Sequence, residues 1–202
     1  ANWMEIWNNV FMQFNRKDEK TLEKLPKQNV DTGMGLERTN CILQGKTSVY
    51  LTEVFQPIIA KIEELASYKY GTDEEKDKSV RIIADHSRSS VFILGDQKGV
   101  TPDRVGAGYV LRRLIRRAVR HGMKLGIEKD FLAEVAQVVV DNFKIAYPEL
   151  EQNKEKVFNE LTKEEAKFRL TLKKGEAEFQ KMLPNLMKNP KKIISGKVAY
   201  NL

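Results

Sequence analysis

The sequence predicts a mainly α-helical protein, in which a small β-hairpin and a short helix precede a larger helical domain. Three observations support this fold class. Aromatic and β-branched residues are concentrated near the N-terminus, Gly33 and Gly35 interrupt the chain, and from Val49 onward apolar residues recur mostly at helical spacing. The chain has 202 residues, 41% of them hydrophobic, which suits one large domain or part of one with a neighbour. Such a chain can bury a substantial core without disulfides or metals.

Two strands and a helix are predicted on the N-terminal side. Glu5 to Asn15 (EIWNNVFMQFN) is rich in Trp, Val and Phe, which predicts a buried strand. The charged segment 16–29 predicts a solvated loop, after which Val30 to Thr32 would form a short antiparallel strand. Glycines at 33 and 35 break this strand, and a helix is expected over Leu36 to Leu43.

Five helices are predicted in the remainder of the chain, from the spacing of their apolar residues. They cover residues 54–65, 78–94, 109–121, 131–143 and 149–182. Gly122 is expected to cap the third of these helices, and Pro184 to end the fifth. The polar segment 69–77 and the Gly- and Pro-containing segment 95–108 are expected to be loops.

Composition excludes several classes of protein. The single cysteine, Cys41, rules out an internal disulfide framework and is most simply a small buried apolar residue. Two histidines and one cysteine cannot assemble a zinc-ligand cluster, so no metal site is predicted. The chain contains no apolar run of the ~20 residues that a membrane helix needs and no signal-peptide pattern, so we expect no membrane association and a cytoplasmic location. The net charge of +7 favours polyanionic partners only weakly.

We expect the chain to be a piece of a longer protein. Its first residues, ANWMEIWNNVFMQF, have the composition of a folded interior. At the other end, IISGKVAYNL has the character of an element that is only beginning. The sequence is therefore expected to continue at both ends.

The segment GYVLRRLIRRAVRHG, residues 108–122, predicts a two-faced basic helix. Five arginines fall within an arc of about 140°, opposite an apolar face. They are Arg112, Arg113, Arg116, Arg117 and Arg120. Like charges on adjacent turns repel each other by about a few tenths of a kcal/mol per pair, so a partner must offset them. Because arginine pairs well with both carboxylates and phosphates, internal ion pairs and RNA contact stay open, and different arginines could serve different roles.

The segment VDTGMGLER, residues 30–38, is a second candidate site. Glycine lets the backbone approach a ligand closely, and the free N–H groups of the helix that follows favour an anion. Arg38 lies on the first turn of that helix, where it could reach a phosphate, and Asp31 could accept hydrogen bonds from an ammonium group. The alternative is a simple strand-to-helix turn with Arg38 paired to an acid, because a lone Gly-x-Gly is weak evidence.

Together with its flanks, this segment resembles the alanyl-tRNA synthetase family of class II. The segments that carry the resemblance are EIWNNVFMQFNR, LPKQNVDTGMGLER, ILQGKTSVYLTEVFQPII, RIIADHSRSSVFILGDQKGVTP, GYVLRRLIRRAVRHG and ISGKVAYNL. GMGLER is similar to motif 3 of the class II synthetases. The resemblance implies that residues 1–50 are the end of a catalytic core built on an antiparallel sheet, and that residues 51–202 form a helical tRNA-recognition domain.

The resemblance implies ATP-dependent activation of alanine and its transfer to the 3′ end of tRNA(Ala). Arg38 would bind the γ-phosphate of ATP and, with Asp31, act in catalysis, while Gly35 would let adenine lie against the backbone. Asp31 would also bind the α-ammonium group of alanine. Gly33 would line the pocket for the alanine methyl group, and Asn8 would hydrogen-bond the bound alanine.

For tRNA, the resemblance implies recognition of the acceptor stem by the basic helix, with all five arginines as candidates, and by the loop before it. The family usually has Pro-Ser-Asn in this loop, whereas this chain has Pro102-Asp103-Arg104. Arg104 therefore stands where the family's base-pair-reading asparagine would be, so either the local alignment shifts or the readout of the base pair differs in detail. Asp103 or Arg104 could still contact the groove edge of the stem.

Other parts of the family's machinery are expected outside this sequence. Motifs 1 and 2 should lie upstream, so this segment alone is not expected to activate alanine. Magnesium would arrive with ATP, and zinc is expected only in the family's editing domain, which this chain lacks.

Two further functions stay open at this point. One is a stand-alone helical RNA-binding module without catalysis. It would differ from a synthetase segment in whether the gene continues at both ends. The other is a protein-interaction scaffold built on the long helix predicted over 149–182. The scaffold depends only on a spacing that any packed helix shows.

Overall fold

The computed structural model describes residues 3–188 and 193–201, and within these ranges the chain is mainly helical with one antiparallel hairpin. The predicted fold class is therefore confirmed. The chain divides into two compact units, which we call the hairpin unit (Ala1–Gln56) and the helical unit (Pro57–Leu202). The assignment of residues 1–50 to a catalytic core and 51–202 to a tRNA-recognition domain stays a prediction.

The hairpin consists of β1 (Trp7–Arg16) and β2 (Leu22–Met34). The prediction that segment 16–29 is a loop was wrong, because β2 takes up most of it. Asp18 closes the turn between the strands, since its Oδ1 accepts hydrogen bonds from the backbone N–H groups of Lys20 and Thr21, both at 2.8 Å. Pro26 lies in β2 where the register shifts between Met12 and Phe14, a place where its missing N–H disrupts no regular ladder bond.

The expectation of a buried N-terminal strand was also wrong. Every residue of β1 is exposed, and Trp7 and Phe11 are 55% and 74% accessible. Aromatic and β-branched side chains do favour strands, which is why the strand itself was predicted correctly. The same residues do not predict burial, because a two-stranded ribbon has no interior of its own.

The rest of the hairpin unit is tied together by side-chain hydrogen bonds. Helix α1 (Leu36–Leu43) occurs where the sequence predicts it. The Glu53 carboxylate accepts hydrogen bonds from Asn40 Nδ2, at 2.8 Å, and from Gln44 Nε2. Cys41 is a buried free thiol, as expected, and donates to the carbonyl of Lys46.

The described part of the helical unit contains seven helices. They are α2 (Gln56–Ala66), α3 (Glu74–Gly95), α4 (Gly106–Lys124), α5 (Leu132–Phe143), α6 (Pro148–Gln152), α7 (Lys154–Lys188) and α8 (Gly196–Asn201). α3 lies at the centre and packs against α4, α5, α6 and α7. The largest fully buried side chains of the core include Ile58, Ile62, Ile83, Leu94, Leu111, Ile115, Phe131, Leu132, Leu150 and Leu161.

The start of α3 and the end of α4 differ from the sequence predictions. α3 begins at Glu74 instead of residue 78, because Asp73 caps it by accepting hydrogen bonds from the N–H groups of Glu75 and Lys76. α4 runs through Gly122, which is buried inside it, instead of ending there. The chain turns after Lys124 at Gly126, whose φ of +86° is a conformation that glycine adopts most easily.

The predicted helix 149–182 is two helices. The break is at Asn153, whose side-chain amide donates to the carbonyl of Gly95, at 2.8 Å, at the end of α3. This contact joins residues far apart in the chain, so helical periodicity contained no sign of it. Pro184 does not end α7, which continues to Lys188. Proline removes one backbone hydrogen bond, and at an exposed position near a helix end water can replace it.

Glu165 and Arg169 of α7 form a buried network that holds the chain before α5. Glu165 is fully buried, and its Oε2 accepts hydrogen bonds from the N–H groups of Phe131, at 3.1 Å, and Leu132, at 2.9 Å. Its Oε1 pairs with Arg169 at 3.0 Å. Burial raises the pKa of the Glu165 carboxyl, while these N–H groups and Arg169 act in the opposite direction. Arg169 also donates to the carbonyls of Ile127, Glu128 and Lys129.

The packing of α4 on Phe131 gives a stability prediction. A Cβ atom at Gly122 would lie 2.5 Å from Cζ of the buried Phe131 ring, so we expect Gly122→Ala to lower the free energy of unfolding by about 1–3 kcal/mol. The measurement is urea unfolding followed by circular dichroism.

Gly175 in α7 is the matched control for this prediction. A Cβ atom there meets nothing within 4 Å, so Gly175→Ala is expected to raise the free energy of unfolding by up to about 1 kcal/mol. Equal unfolding curves for the two variants would contradict the packing of Phe131 on Gly122.

Among the residues that the structure describes, no helix combines the length and the apolar character needed to cross a bilayer.

Candidate functional site

The hairpin register brings the predicted alanine-binding residues onto one face. Asn8 is paired with Gly33, and Val10 with Asp31. Since side chains alternate along a strand, Asn8 and Asp31 point to the same side of the ribbon, with Gly33 between them. A Cβ atom at Gly33 would meet nothing within 4 Å, so this face is open above the glycine. The predicted methyl pocket therefore has no wall above Gly33 among the described residues.

The two predicted ATP-binding residues also lie together. A Cβ atom at Gly35 would be 3.4 Å from Cδ of Arg38, so the arginine stem lies alongside the glycine. Arg38 Nη1 donates to the carbonyl of Glu5 at 3.1 Å, and Gly35 N donates to the carbonyl of Ile6 at 3.0 Å. The segment before β1 therefore orients Arg38 through backbone oxygens, not through the acid that the sequence left open as a partner. Arg38 remains exposed, with its guanidinium at the N-terminal end of α1.

The N-terminus of α1 suits an anionic group. The N-cap, Gly35, provides no side-chain hydrogen bond to the first turn. The first N–H groups of a helix lack intrahelical partners, and the helix dipole favours negative charge there. Arg38 adds a full positive charge at the same end.

The basic helix presents its arginines in two different ways. Arg112 and Arg116 are half-buried and both pair with Glu164 of α7, at 3.5 and 2.6 Å. The guanidinium of Arg116 also lies 4.9 Å from the centre of the Phe168 ring. These two arginines therefore have an internal partner, one of the alternatives that the sequence left open.

The other three arginines, Arg113, Arg117 and Arg120, are exposed on the same helix. Arg113 lies over the ring of Tyr109, 5.8 Å from its centre. Among residues 3–188 and 193–201, no acid forms a salt bridge with any of these three. Their charges are thus available to an anion from outside the described chain.

The loop before α4 is held directly on the first turn of the helix. Asp103 N donates to the carbonyl of Gly108 at 3.1 Å, and Asp103 Oδ1 accepts from Arg104 N at 2.6 Å. A Cβ atom at Gly108 would lie 2.6 Å from the carbonyl oxygen of Thr101, so only glycine allows this close approach. Asp103 and Arg104 are exposed, and they lie just before the N-terminal end of α4.

Sequence reasoning missed Lys78, His121 and Lys124. They line a cavity of about 330 Å³ between α3 and α4, together with Arg117 and Arg120. Lys124 follows Arg117 and Arg120 at helical spacing, so the helical pattern could have included it. Lys78 is on another helix, and only the packing of α3 on α4 brings it to this position.

No group of three or more His, Cys, Asp and Glu side chains within the described ranges is arranged to hold a metal ion.

Comparison with known proteins places these features in a family context. The chain matches the family described as tRNA synthetases class II (A) over residues 1–202. It is 56% identical to the alanine–tRNA ligase of Treponema denticola and 48% identical to that of Treponema pallidum, in both cases over 202 residues and 100% of this chain. With the alanine–tRNA ligase of an Anaeromyxobacter species it shares 46% identity over 215 residues, which is 99% of this chain.

The relatives are much longer than this chain. The alignments cover 34% of the Treponema denticola protein, 33% of the Treponema pallidum protein and 24% of the Anaeromyxobacter protein. The chain thus spans about a third or less of the length of these relatives.

Proposed function

The chain belongs to the family of tRNA synthetases class II (A), and we propose that it acts as a segment of an alanine–tRNA ligase. In this role it contributes part of the ATP and alanine site and recognises the acceptor stem of tRNA(Ala) in the cytoplasm. The observation that carries the proposal is the identity of about half of its residues, over its whole length, with proteins named as alanine–tRNA ligases.

The hairpin unit would contribute to the first chemical step. In that step the carboxylate of alanine attacks the α-phosphorus of ATP, the bond to the pyrophosphate oxygen breaks, and alanyl-adenylate forms. Asp31 would hold the α-ammonium group, and Asn8, on the same face, would hydrogen-bond the amino acid. Orienting the substrate in this way aligns the carboxylate for attack. The open space over Gly33 leaves room for the methyl group.

Arg38 and Gly35 would act on the nucleotide. Arg38 would bind the γ-phosphate, where a fixed positive charge stabilises the negative charge that develops on the leaving pyrophosphate. Its hydrogen bond to the Glu5 carbonyl holds the guanidinium in place before ATP arrives. Gly35 leaves the backbone open to adenine. In the second step a hydroxyl at the 3′ end of tRNA attacks the acyl carbon, and AMP leaves.

The helical unit would bind the acceptor stem through α4 and the loop before it. All five arginines stay part of this proposal, but they have two different roles. Arg113, Arg117 and Arg120 would contact phosphates, since they are exposed and lack an acid partner among the described residues. Arg112 and Arg116 would support this face through Glu164. Asp103 and Arg104 would lie at the groove edge.

These two roles, phosphate contact and support of the face, predict different results for two arginine replacements. Arg117→Ala should weaken binding of an acceptor-stem RNA duplex and reduce the slope of log K against log salt by about 1, as the loss of one phosphate contact requires. Arg116→Ala should instead lower the free energy of unfolding, because Glu164 is 93% buried and would lose its nearest cation. Fluorescence anisotropy at several salt concentrations and urea unfolding measure the two effects.

Arg16→Ala is the matched control for charge. Arg16 is an exposed arginine that donates only to backbone carbonyls of the hairpin turn, Asp18 and Glu19, in the described chain. An equal loss of RNA affinity in Arg16→Ala and Arg117→Ala would indicate a non-specific charge effect and would contradict the proposed RNA face. The same face would also suit an RNA-binding module without catalysis. An ATP–pyrophosphate exchange assay distinguishes such a module from a ligase.

A further inference from the structure

The cavity between α3 and α4 is lined by an unusual excess of positive charge. Its charged side chains are Lys78, Arg117, Arg120, Lys124 and Glu75, so four cations face one carboxylate. Ser79, Ile82 and His121 complete the lining. We call this cavity of about 330 Å³ the α3–α4 groove. It is large enough for a phosphate group and part of the sugar attached to it.

The four cations are not neutralised within the described part of the chain. None of Lys78, Arg117, Arg120 and Lys124 forms a salt bridge with a described acid. Glu176 of α7 lines an adjoining cavity with Arg120 and Lys124, on the other side of these two residues. Like charges gathered in a partly enclosed groove repel each other, and an anion placed among them offsets that repulsion.

His121 lies in the groove with a defined hydrogen-bond arrangement. Its Nδ1 is 3.0 Å from Ser79 Oγ, and Ser79 Oγ donates its only proton to the Glu75 carbonyl at 3.2 Å. In the arrangement where Ser79 donates to the Glu75 carbonyl, Nδ1 donates to Ser79 and the lone pair of the neutral ring is on Nε2. A proton added to Nε2 would make His121 a second donor and a further positive charge.

The surroundings of His121 favour the neutral form of its ring. Burial lowers the pKa of the ring below its ordinary value of 6.5, and Lys124, Arg117, Arg120 and His86 lower it further. Lys78 and Glu75 face the same groove from α3. An anion bound between the cations would offset their effect and raise the pKa of His121.

We propose that the α3–α4 groove binds a phosphate of the RNA backbone, and that His121 takes up a proton on Nε2 when the phosphate binds. This inference rests on the proposed function and adds Lys78, His121 and Lys124 to the RNA-binding surface. The bound complex holds the His121 proton more tightly than the free protein does. Affinity for RNA therefore rises as the pH falls through the window between the raised pKa of the complex and the lowered pKa of the free protein.

The experiment follows the two histidine rings by NMR while the pH is varied, in the 202-residue chain with and without an acceptor-stem RNA duplex. The chain contains only two histidines, so His121→Asn assigns both signals. We expect the pKa of His121 to rise when RNA binds, because a bound phosphate offsets the neighbouring positive charges. Lys78→Ala and Lys124→Ala should each weaken RNA binding several-fold, and Lys124→Ala should also raise the pKa of His121 in the free protein.

Lys173→Ala is the matched control, because Lys173 is an exposed lysine of α7 outside the groove. If RNA binds while the His121 pKa stays unchanged and Lys78→Ala matches Lys173→Ala, the groove is not a phosphate site, although RNA recognition by α4 stands. If the unmodified chain binds no RNA, both the groove proposal and the proposed RNA recognition by α4 are overturned. If inorganic phosphate alone raises the pKa of His121 as far as RNA does, while Lys78→Ala leaves RNA affinity unchanged, the groove binds free anions. The assignment of the groove to RNA is then overturned.

Discussion

Arg38→Ala is expected to lower the rate of ATP–pyrophosphate exchange by at least about 10²- to 10³-fold in a full-length ligase that carries this segment. Arg38 is the basic side chain in the first turn of α1, next to Glu37, and its guanidinium is already oriented by the Glu5 carbonyl at 3.1 Å. Removing it would leave the charge that develops on pyrophosphate without this fixed cation. The measurement is incorporation of labelled pyrophosphate into ATP at saturating alanine.

Two further variants make the exchange result specific. Arg38→Lys keeps the charge but loses the two-pronged geometry of the guanidinium, so we expect most of the loss to remain. Arg16→Ala removes an arginine from the far end of the hairpin and should leave exchange unchanged. Exchange at the unmodified rate in Arg38→Ala would refute the nucleotide role, and an RNA-binding module would then be the better interpretation if RNA still bound.

Glu165→Ala is expected to lower the free energy of unfolding of the helical unit by about 3–5 kcal/mol. The side chain is fully buried, and its loss leaves the N–H groups of Phe131 and Leu132 without their acceptor. It also removes the carboxylate that pairs with Arg169 at 3.0 Å. A protein domain is stable by only about 5–15 kcal/mol, so this one change removes a large fraction of its stability. Urea unfolding followed by circular dichroism measures the effect.

Glu178→Ala is the matched control on the same helix. Glu178 and Lys181 form an exposed i,i+3 pair at 2.7 Å, and such pairs contribute at most about 1 kcal/mol. If Glu165→Ala does not fold, Glu165→Gln gives the graded measurement, because its amide oxygen can still accept from the two N–H groups while its NH₂ group faces Arg169. Unfolding curves for Glu165→Gln that match those of Glu178→Ala would show that the buried network adds no stability.

Local patterns in the sequence predicted the secondary structure around Gly33 and Gly35 correctly. The glycine pair, the helix after it and Arg38 on its first turn all follow from neighbouring residues, and α1 occupies the predicted residues. Asn8 and Asp31 are proposed to bind alanine because of the family resemblance, and the strand register places them on one face of the hairpin. That register depends on how β1 and β2 pair across the turn, which the predicted loop over 16–29 had missed.

The basic helix shows that helical spacing does not predict which arginines form ion pairs within the fold. The arc of five arginines was visible from helical spacing, and α4 is indeed a helix over all of them. Its spacing could not distinguish Arg112 and Arg116 from the others, because their partner Glu164 is on α7, 48 residues beyond Arg116. The fully buried carboxylate of Glu165 was equally invisible, since acids in a charged helical sequence are usually solvated.

Composition and short-range spacing were enough to predict the mainly helical class, the family and the residue types of both candidate sites. The packing of the helices sets which charges are neutralised, where α4 and α7 begin and end, and that Lys78 joins His121 in one groove. Gly122 lies inside a helix because Phe131 packs on it, and α7 begins after Asn153 because that side chain reaches Gly95. Burial and ion pairing arise between groups that are distant along the chain, and the periodicity of a single helix contains no information about them.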